Sequence, residues 1–454
     1  MNCSHADLPR RTQIQAAFSS SWPMTRRTAE VTTRHAIIGD FCKEGEPVHL
    51  SISNILYLTE HSRDLRSLVK ALKTVGYSSK AVREVMGMNG VAHELLTNTA
   101  YVALAYYDDY CASTSPIAIL GLMFVCGSWI ETGIYERSIP ALVRDLLERC
   151  GLIAEPSSGF RKSLIALQEF RSRWFFADPM IERTPDDLRV VQDFAEHIDP
   201  PNYSSVSLAL NTLKPRDGDR TFLDIGCGSG VQSILASELY EHVVGVDISE
   251  RAVALSRLNA SVNEANVSYV RDDCMHFDAD RLVDRLVFNC PSVPRYRNGL
   301  DKIDTYTSTM GHDLFFDFAN HRLMGLMAPG GLAELWSIFA VTRRAGSMKR
   351  LLTERLTTHR LLDIDVVAEV DSPFGLSRDE IARGAVPRGS YLLASPDDTN
   401  SLISFLRKQD VECIVPALLR LTVKSEPQGK ISCQNVERLI DGPEALKHER
   451  RPGF

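Results

Sequence analysis

The sequence predicts an α/β chain in which a mainly helical domain precedes a doubly wound, mostly parallel sheet. Two patterns in the 454 residues indicate this organisation. Apolar residues recur at helical spacing from about residue 50 to residue 200. From about 200 to 395, short apolar strands alternate with helices, which is typical of a parallel sheet. Ligands of such a sheet are expected at the carboxyl ends of its strands.

The chain is expected to divide into four segments. They are a flexible N-terminal segment (1–45), a helical domain (46–198), the sheet domain (199–400) and a C-terminal extension (401–454). The boundary near 199 is a turn-rich linker, Asp199-Pro200-Pro201-Asn202, after which the pattern changes from helical to alternating.

The helical domain is predicted to be a winged-helix-like module, because two amphipathic helices are followed by alternating strands. Leu65, Leu68 and Leu72 share one helix face, and the second helix covers 139–150. Alternating residues between 163 and 176 favour a hairpin. The second helix carries acidic and basic residues in equal number, so it lacks the basic surface that DNA recognition needs. The domain is therefore expected to shape a substrate pocket or to form a homodimer, and no DNA is expected as a partner.

Composition argues against several classes of partner. With 51 basic and 58 acidic side chains the net charge is −7, which disfavours a nucleic-acid backbone as the main partner. The ten cysteines form no C-x-x-C pair and no zinc-type cluster with histidine, which predicts free thiols in the cytoplasm and no metal site. The apolar run at 117–126 is too short to span a bilayer, so no membrane is expected as a partner.

The sheet domain is predicted in some detail. In chain order its elements are a strand at 221–225, a helix at about 230–240, a strand at 242–247, a helix begun by Ser249, strands near 267–271 and 285–289, a helix near 312–327 and a strand near 332–339. Residues 366–368 and 390–394 are expected to close the sheet as an antiparallel pair.

A glycine-rich turn follows the first of these strands. Glycines at 226, 228 and 230 allow a tight turn and a close approach of the backbone to a ligand. A dinucleotide loop would place a further glycine at 231, where this chain has valine, and a P-loop would supply a lysine, which is absent from 224 to 238. Instead an acid, Asp224, lies two residues before the first glycine.

Three acids at three successive strand ends narrow the choice of ligand. A carboxylate at Asp224 repels a pyrophosphate but favours the ammonium and sulfonium charges of S-adenosyl-L-methionine. Asp247 ends the second strand, where an acid accepts hydrogen bonds from both ribose hydroxyls. Asp273 follows the third strand, where it accepts from an adenine amino group. A capping or surface aspartate explains each acid singly, but explains the set poorly.

These motifs resemble those of class I S-adenosylmethionine-dependent methyltransferases, in particular the HemK/PrmC-like, small-domain type with an added N-terminal domain. The resemblance covers about 200 to 395 and implies a Rossmann-like, seven-stranded methyltransferase sheet, with Ile248 packed on the adenine ring. The cofactor-binding residues that it implies are Asp224, Gly226, Cys227, Gly228, Gly230, Asp247, Ile248, Asp273, Cys274 and Asn289.

The fourth strand ends in Asn289-Cys290-Pro291-Ser292, which resembles the Asn-Pro-Pro-aromatic motif of the same family. There the asparagine side chain and the next backbone carbonyl accept hydrogen bonds from the acceptor's amino group, and the aromatic ring stacks on a planar amide or base. This chain keeps Asn289 and Pro291 but has Cys290 and Ser292 at the other two positions. Loss of the ring makes a nucleobase or a glutamine amide a poorer acceptor. The alternative for Asn289 is a strand-end residue that satisfies nearby backbone.

Further acceptor contacts are expected on both sides of this motif. Tyr203 is expected to cover the methionine end of the cofactor, while Arg295 and Tyr296 begin a substrate loop that favours an anionic acceptor. His312 or Asp313 is a candidate general base for a hydroxyl or ammonium acceptor. A helix cap with surface arginines is the alternative for this segment.

The sequence thus predicts methyl transfer to an oxygen or nitrogen atom of a small-molecule acceptor, such as an anionic biosynthetic intermediate. A protein (glutamine) or RNA N-methyltransferase is the second hypothesis, which Asn289 supports and Ser292 opposes. A non-catalytic binding module with the same fold is the third.

Overall fold

A computed structural model gives the structure of the chain. It describes residues 50–86, 107–155, 157–179, 181–184, 188–190, 197–212, 214–294, 307–308, 312–369, 372, 374–385 and 396–436. The predicted flexible segment 1–45 and the predicted strand at 390–394 lie outside these residues. Within them, no helix is long and apolar enough to cross a membrane.

The N-terminal part is built from short helices, several of which begin at a serine. Its helices are α1 (Ile52–Glu60), α2 (Ser62–Thr74), α3 (Ser79–Val85), α4 (Tyr107–Ala112), α5 (Pro116–Phe124), α6 (Thr132–Ser138) and α7 (Ala141–Arg149). The side chains of Ser51, Ser78 and Ser115 accept hydrogen bonds from the first turns of α1, α3 and α5. The predicted face of Leu65, Leu68 and Leu72 is buried in α2.

Small antiparallel sheets complete this part. Its strands are β1 (Ile130–Glu131), β2 (Ile153–Ala154), β3 (Phe160–Ser163), β4 (Ala166–Phe170), β5 (Arg173–Ala177), β6 (Ile181–Arg183) and β7 (Leu188–Val190). β3 lies between β1 and β2, and β4 and β5 form a hairpin. Gly151, in the left-handed conformation, follows the last turn of α7. The expected order of helices followed by a hairpin is confirmed.

One large sheet organises the rest of the chain. The strands of this part are β8 (Thr221–Ile225), β9 (His242–Asp247), β10 (Ser268–Arg271), β11 (Val283–Asn289), β12 (Val293–Pro294), β13 (Thr307–Ser308), β14 (Met327–Thr342), β15 (Leu362–Ala368), β16 (Val411–Val423) and β17 (Ile431–Gln434). The sheet has eight strands in the order β10-β9-β8-β11-β14-β16-β15-β17. Only β16 runs antiparallel to its neighbours. The Rossmann-like sheet is confirmed, with β17 as an eighth strand beside the expected seven.

The antiparallel strand differs from the prediction. β15 contains the expected residues 366–368, but its antiparallel partner is β16 at Val411–Val423. The sheet therefore continues beyond residue 400, into the segment expected to be a C-terminal extension. Pro416 explains why the strand is hard to predict, since proline inside an apolar run argues against a central strand.

Helices cover both faces of the sheet. They are α8 (Tyr203–Thr212), α9 (Val231–Ala236), α10 (Glu250–Asn263), α11 (Asp313–His321), α12 (Leu323–Leu326), α13 (Met348–Arg355), α14 (Arg378–Ala382) and α15 (Pro396–Lys408). Ser249 caps α10, as predicted, by accepting from the Ala252 N–H. Along β14, alternate residues face two cores: Leu335 packs with α11, whereas Trp336 packs with α8 and α15.

Helix α10 joins the two parts of the chain. Buried Arg251 on α10 makes a two-pronged ion pair with buried Asp178, which follows strand β5. The amide of buried Asn259 accepts from the Phe176 N–H and donates to the Phe176 carbonyl, both at 2.9 Å, as a neighbouring strand would. The N-terminal hairpin is thus fixed directly against a helix of the large sheet.

Candidate active site

The turn after β8 has glycine at three alternate positions whose backbone conformation favours glycine. Gly226, Gly228 and Gly230 have φ angles of 62°, 54° and 79°, all in the left-handed region. A side chain at Gly230 would also meet the Tyr269 hydroxyl, since a Cβ there would lie 2.7 Å from it. Cys227, between them, is buried, and its N–H donates to the Val246 carbonyl at 3.0 Å. The turn is therefore held tightly against β9.

Asp224 lies in β8 beneath this turn. Its side chain is buried, and one carboxylate oxygen accepts from the Ser233 N–H at 2.9 Å in the first turns of α9. The pKa of Asp224 is raised to about 7, mainly by burial and also by the charge of Asp247, while the hydrogen bonds from Ser233 lower it. Asp224 can accept from the first turns of α9 and also attract a positively charged cofactor, because a cation above the turn favours the ionised carboxylate.

Asp247 ends β9 and links the turn to the next helix. Its Oδ2 accepts from the Gly228 N–H and its Oδ1 from the Ser249 N–H, each at 2.9 Å. Burial raises the pKa of Asp247, although these backbone N–H groups lower it. Because a carboxylate oxygen accepts more than one hydrogen bond, both oxygens retain capacity for the two hydroxyls of a ribose.

The third strand end supplies a partly exposed acid, and the second supplies an exposed apolar side chain. Asp273 accepts from the Met275 N–H at 2.9 Å and lies 3.4 Å from the His276 ring nitrogen, so it holds its own turn. Ile248, just after β9, is 49% exposed, which leaves its face free to pack on a ring. Burial, followed by the charge of Asp273, raises the pKa of Cys274 to about 12 and keeps it neutral.

The N-terminal hairpin contacts this turn through Asn259. The Asn259 side chain, which already bonds Phe176, also donates to the Ser229 carbonyl at 2.9 Å. The Ser229 hydroxyl in turn donates to the Asp199 carbonyl at 3.2 Å, in the linker before α8. Tyr203, predicted to cover the cofactor, is the first residue of α8, but its side chain lies outside the described part of the chain.

The fourth strand ends beside Trp336. Asn289, the last residue of β11, is half-buried and is the register partner of Trp336 on β14. The buried Cys290 donates its N–H to the Trp336 carbonyl at 3.0 Å. Buried Ser292 donates its hydroxyl to the Cys290 carbonyl at 2.6 Å, and half-buried Pro291 lies between them. The carbonyl after the asparagine therefore already has a donor within the chain.

Comparison with known families bears on the same segment. Residues 203–311 match the family model described as the methyltransferase small domain. This match covers the glycine turn, all three acids and the Asn289 motif.

The central region is a class I methyltransferase domain.

It is of the HemK/PrmC-like type, and S-adenosyl-L-methionine is its cofactor, as the sequence predicts.

Two curated proteins are similar to part of this chain. A ribosomal protein L11 methyltransferase of Methylobacillus flagellatus is 35% identical over 115 residues, which cover 24% of this chain and 38% of that protein. A Methanocaldococcus jannaschii protein named for N5-glutamine methylation is 34% identical over 107 residues, which cover 23% of this chain and 52% of that protein. The chain thus spans about half or less of the relatives it matches, and their substrates are not assigned to it by these matches.

Solved structures give a weaker likeness. The N-methyltransferase NodS from Bradyrhizobium japonicum aligns with a TM-score of 0.27 and 15% identity, over 50% of this chain and 100% of that protein. A likeness at that level carries no argument about the methyltransferase domain.

The predicted base residues have contacts of their own. His312 is buried, its Nδ1 accepts from the Ala340 N–H at 3.2 Å, and its ring stacks on Phe339. Burial lowers its pKa to about 4, which favours the neutral ring. Asp313 forms an ion pair with Arg355 at 3.0 Å. These contacts favour the structural alternative for both residues, and their catalytic role stays a prediction. Arg295 and Tyr296 lie outside the described residues.

Sequence reasoning missed one acid of this edge. Glu369 directly follows β15, and its carboxylate accepts from the Trp336 indole N–H at 2.9 Å. The rule that found Asp247, an acid at the carboxyl end of a strand, applies equally to Glu369. No motif marks the expected strand at 366–368, so the sequence alone does not single out the acid that follows it.

Proposed function

We propose that this chain is an S-adenosylmethionine-dependent methyltransferase that methylates a nitrogen or oxygen atom of a small-molecule acceptor. One observation carries the proposal: Asp224, Asp247 and Asp273 lie at the ends of three adjacent strands, around a turn whose three glycines all have left-handed φ angles. This arrangement leaves carboxylates where a sulfonium nucleoside presents its positive charge, its ribose hydroxyls and its adenine amino group.

The fit of the cofactor follows from the contacts of these residues. Asp247 already uses one lone pair of each oxygen on the backbone, so the ribose is held by a carboxylate whose position is fixed. Asp224 supplies negative charge beneath the turn, and Ile248 offers an exposed apolar face to the adenine. The cofactor supplies an activated methyl group, so that placing the acceptor and excluding water are the main tasks of the protein.

Asn289 is proposed to orient the acceptor. Its side chain lies at the end of β11, on the sheet face shared with Trp336. An amide oxygen there accepts a hydrogen bond from an acceptor N–H or O–H, which turns the lone pair of the acceptor atom toward the methyl carbon. The acceptor atom then attacks in line with the breaking carbon–sulfur bond, and the sulfur leaves as a neutral thioether.

The small-molecule acceptor is favoured by the position of Ser292. Its side chain is buried and hydrogen-bonded to the Cys290 carbonyl, so it offers no surface on which a planar amide or base could stack. The Ser292 hydroxyl also occupies one of the positions at which the Cys290 carbonyl could accept a hydrogen bond from a substrate. The absence of a stacking surface and this occupied carbonyl both distinguish the pocket from a pocket that binds a glutamine amide. An anionic acceptor would need Arg295 and Tyr296, and that part of the proposal rests on the sequence alone.

A protein N-methyltransferase is the second candidate. The names of the two relatives favour it, and Asn289 is the residue that such an activity would use. Each of these similarities covers about a quarter of this chain, so the whole activity of the relatives is not carried over by them.

The proposal is tested by incubating the chain with methyl-labelled cofactor and separate pools of small metabolites, protein and RNA. We expect label in the small-metabolite pool. Label confined to protein or to RNA would instead establish the second hypothesis, and label in none of the pools would favour a non-catalytic binding module.

A further inference from the structure

A partly buried carboxyl group lies on the acceptor side of the sheet edge. Glu369 is the first residue after β15, and its N–H donates to the Pro416 carbonyl at 2.9 Å, which continues the strand pairing by one residue. Its carboxylate accepts from the Trp336 indole N–H at 2.9 Å and is hydrogen-bonded by the Ser207 side chain of α8. Three elements of the methyltransferase domain therefore fix its position.

Strand register places this carboxyl group next to the acceptor-orienting asparagine. In a parallel pair of strands, register partners project from the same face of the sheet, so Asn289 and Trp336 share a face. Glu369 is bonded to Trp336 itself. The linker that precedes α8 touches the cofactor turn through Asp199, so the same face extends to the cofactor.

Among the described residues, the surroundings of Glu369 are mainly apolar and supply no cation. Trp336 packs in a cluster with Leu208 and Ile338, and its ring meets the Phe374 ring edge to face. Burial raises the pKa of Glu369 to about 7, and the only other causes are its hydrogen bonds to Ser207 and Trp336, which lower it. No charged side chain among the described residues contributes to this shift.

A second glutamate of the same sheet shows the contrast. Glu334, two residues before Trp336 on β14, is more deeply buried than Glu369, but Arg420 pairs with it at 3.3 Å and the charge of Arg285 also lowers its pKa. A structural carboxylate in this sheet is thus compensated by arginine. A carboxylate buried against neutral donors only is costly to keep, and an amide would make the same two contacts more cheaply.

We propose that Glu369 receives the amine of the acceptor, which makes the acceptor a small molecule with a primary or secondary amine. This inference rests on the proposed function and narrows its acceptor class. The acceptor enters as an ammonium ion, and one of its protons passes to the Glu369 carboxylate. The freed nitrogen lone pair forms a bond to the methyl carbon, while the electron pair of the carbon–sulfur bond stays on sulfur.

The acceptor class is tested with matched compounds that differ only in the nucleophile. Sets of primary amines, alcohols and carboxylates with the same carbon skeletons are incubated with the full chain and methyl-labelled cofactor. We expect label in the amines. Label in alcohols or carboxylates alone would overturn the role of Glu369 while leaving the methyltransferase proposal intact. If none of the three sets of compounds is labelled, and neither protein nor RNA is labelled, both the role of Glu369 and the methyltransferase proposal would be overturned.

Glu369→Gln tests the residue directly, with Glu426→Gln at an exposed turn as the matched control. The amide keeps an acceptor for the Trp336 N–H but cannot take a proton. For the labelled amine, kcat/KM should fall about 100-fold, the usual contribution of a positioned base. The cofactor Kd should not change. In the wild-type protein, kcat/KM for the amine should rise as the pH increases through about 7. This rise should be absent in Glu369→Gln and present in Glu426→Gln.

Trp336→Phe separates a catalytic from a merely structural contact. Loss of the indole N–H removes a donor that stabilises the ionised carboxylate, so the pKa of Glu369 should rise. The acidic limb of kcat/KM should then move to higher pH in folded protein, as checked by circular dichroism. Two results would contradict the proposal. One is that Glu369→Gln keeps full activity and the wild-type dependence of kcat/KM on pH. The other is that Trp336→Phe leaves the pH at which kcat/KM rises unchanged.

Discussion

The candidate site lies along the carboxyl ends of the strands and has a cofactor half and an acceptor half, whose polar side chains are held in place in different ways. In the cofactor half, at β8, β9 and β10, the carboxylates accept mostly from backbone N–H groups less than ten residues away. Asp224 accepts from Ser233, Asp247 from Ser249 and Asp273 from Met275. Asp247 also accepts from Gly228, 19 residues away. In the acceptor half, at β11, β14 and β15, polar groups are held by residues far away in sequence, as Glu369 is by Trp336. The cofactor half is therefore fixed by local chain geometry, and the acceptor half by tertiary packing.

The strongest test of this contrast is Asp247→Ala. Removal of the carboxylate deletes two charge-assisted hydrogen bonds to the ribose and frees the Gly228 N–H that shapes the turn. Affinity for S-adenosylmethionine should fall about 100-fold or more, measured by isothermal titration calorimetry. Exposed Asp280→Ala is the matched control and should bind normally. Unchanged affinity in Asp247→Ala, with a normal melting curve, would show that the ribose is held elsewhere.

Asn289→Ala should affect the acceptor half alone. Asn289 ends β11, which lies beside β8 on the side remote from Asp247 and Asp273. Cofactor affinity should therefore persist, while kcat falls about 10- to 100-fold because the acceptor is misoriented. Calorimetry and single-turnover methyl transfer measure the two effects separately. A variant with full activity would move the acceptor site away from β11. If Asn289→Ala lost cofactor affinity instead, Asn289 would contribute to both halves, and the two halves would not be separable.

The same contrast explains what the sequence could predict. Strands β8 and β9 and the Ser249 cap are predicted to the residue, because apolar runs, glycines and capping residues act over a few positions. The long strand β16 and its contact with β15 are set by packing of segments some fifty residues apart, and Pro416 disguises the strand. Local signals could not reveal that pairing, so the end of the domain was placed too early.

The site shows the same division of what was predictable. Asp224, Asp247 and Asp273 could be named because each follows a recognisable strand. Glu369 meets the same rule, yet its meaning depends on Trp336, which only the three-dimensional register brings to it. His312 was chosen for its chemistry, whereas its burial beneath β14 and its bond to Ala340 follow from packing.

A smaller, pH-dependent effect should belong to the cofactor half. Burial holds the pKa of Asp224 near 7 in the free protein, and a bound cation favours its ionised form. Below pH 7, cofactor binding must therefore release a proton, and affinity should fall by up to about tenfold per pH unit. Calorimetry between pH 8 and pH 5.5 in buffers of different ionisation enthalpy measures both quantities. Asp224→Asn should bind more weakly at pH 8 and lose the dependence; a dependence that survives would assign it to another group.

The smallest expected effect is at Ser292, and it sharpens the distinction between this pocket and that of the amide-methylating relatives. Ser292→Ala removes the hydroxyl that donates to the Cys290 carbonyl, while the methyl group keeps the buried volume nearly unchanged. The carbonyl then regains its full capacity to accept from an acceptor amino group, so KM for an amine should change by a few-fold at most, with kcat and cofactor Kd unaltered. Thr342→Ala, a partly buried hydroxyl at the far end of β14, is the matched control. A large fall in kcat for Ser292→Ala would mean that this hydroxyl positions Asn289, and that the acceptor half is as locally determined as the cofactor half.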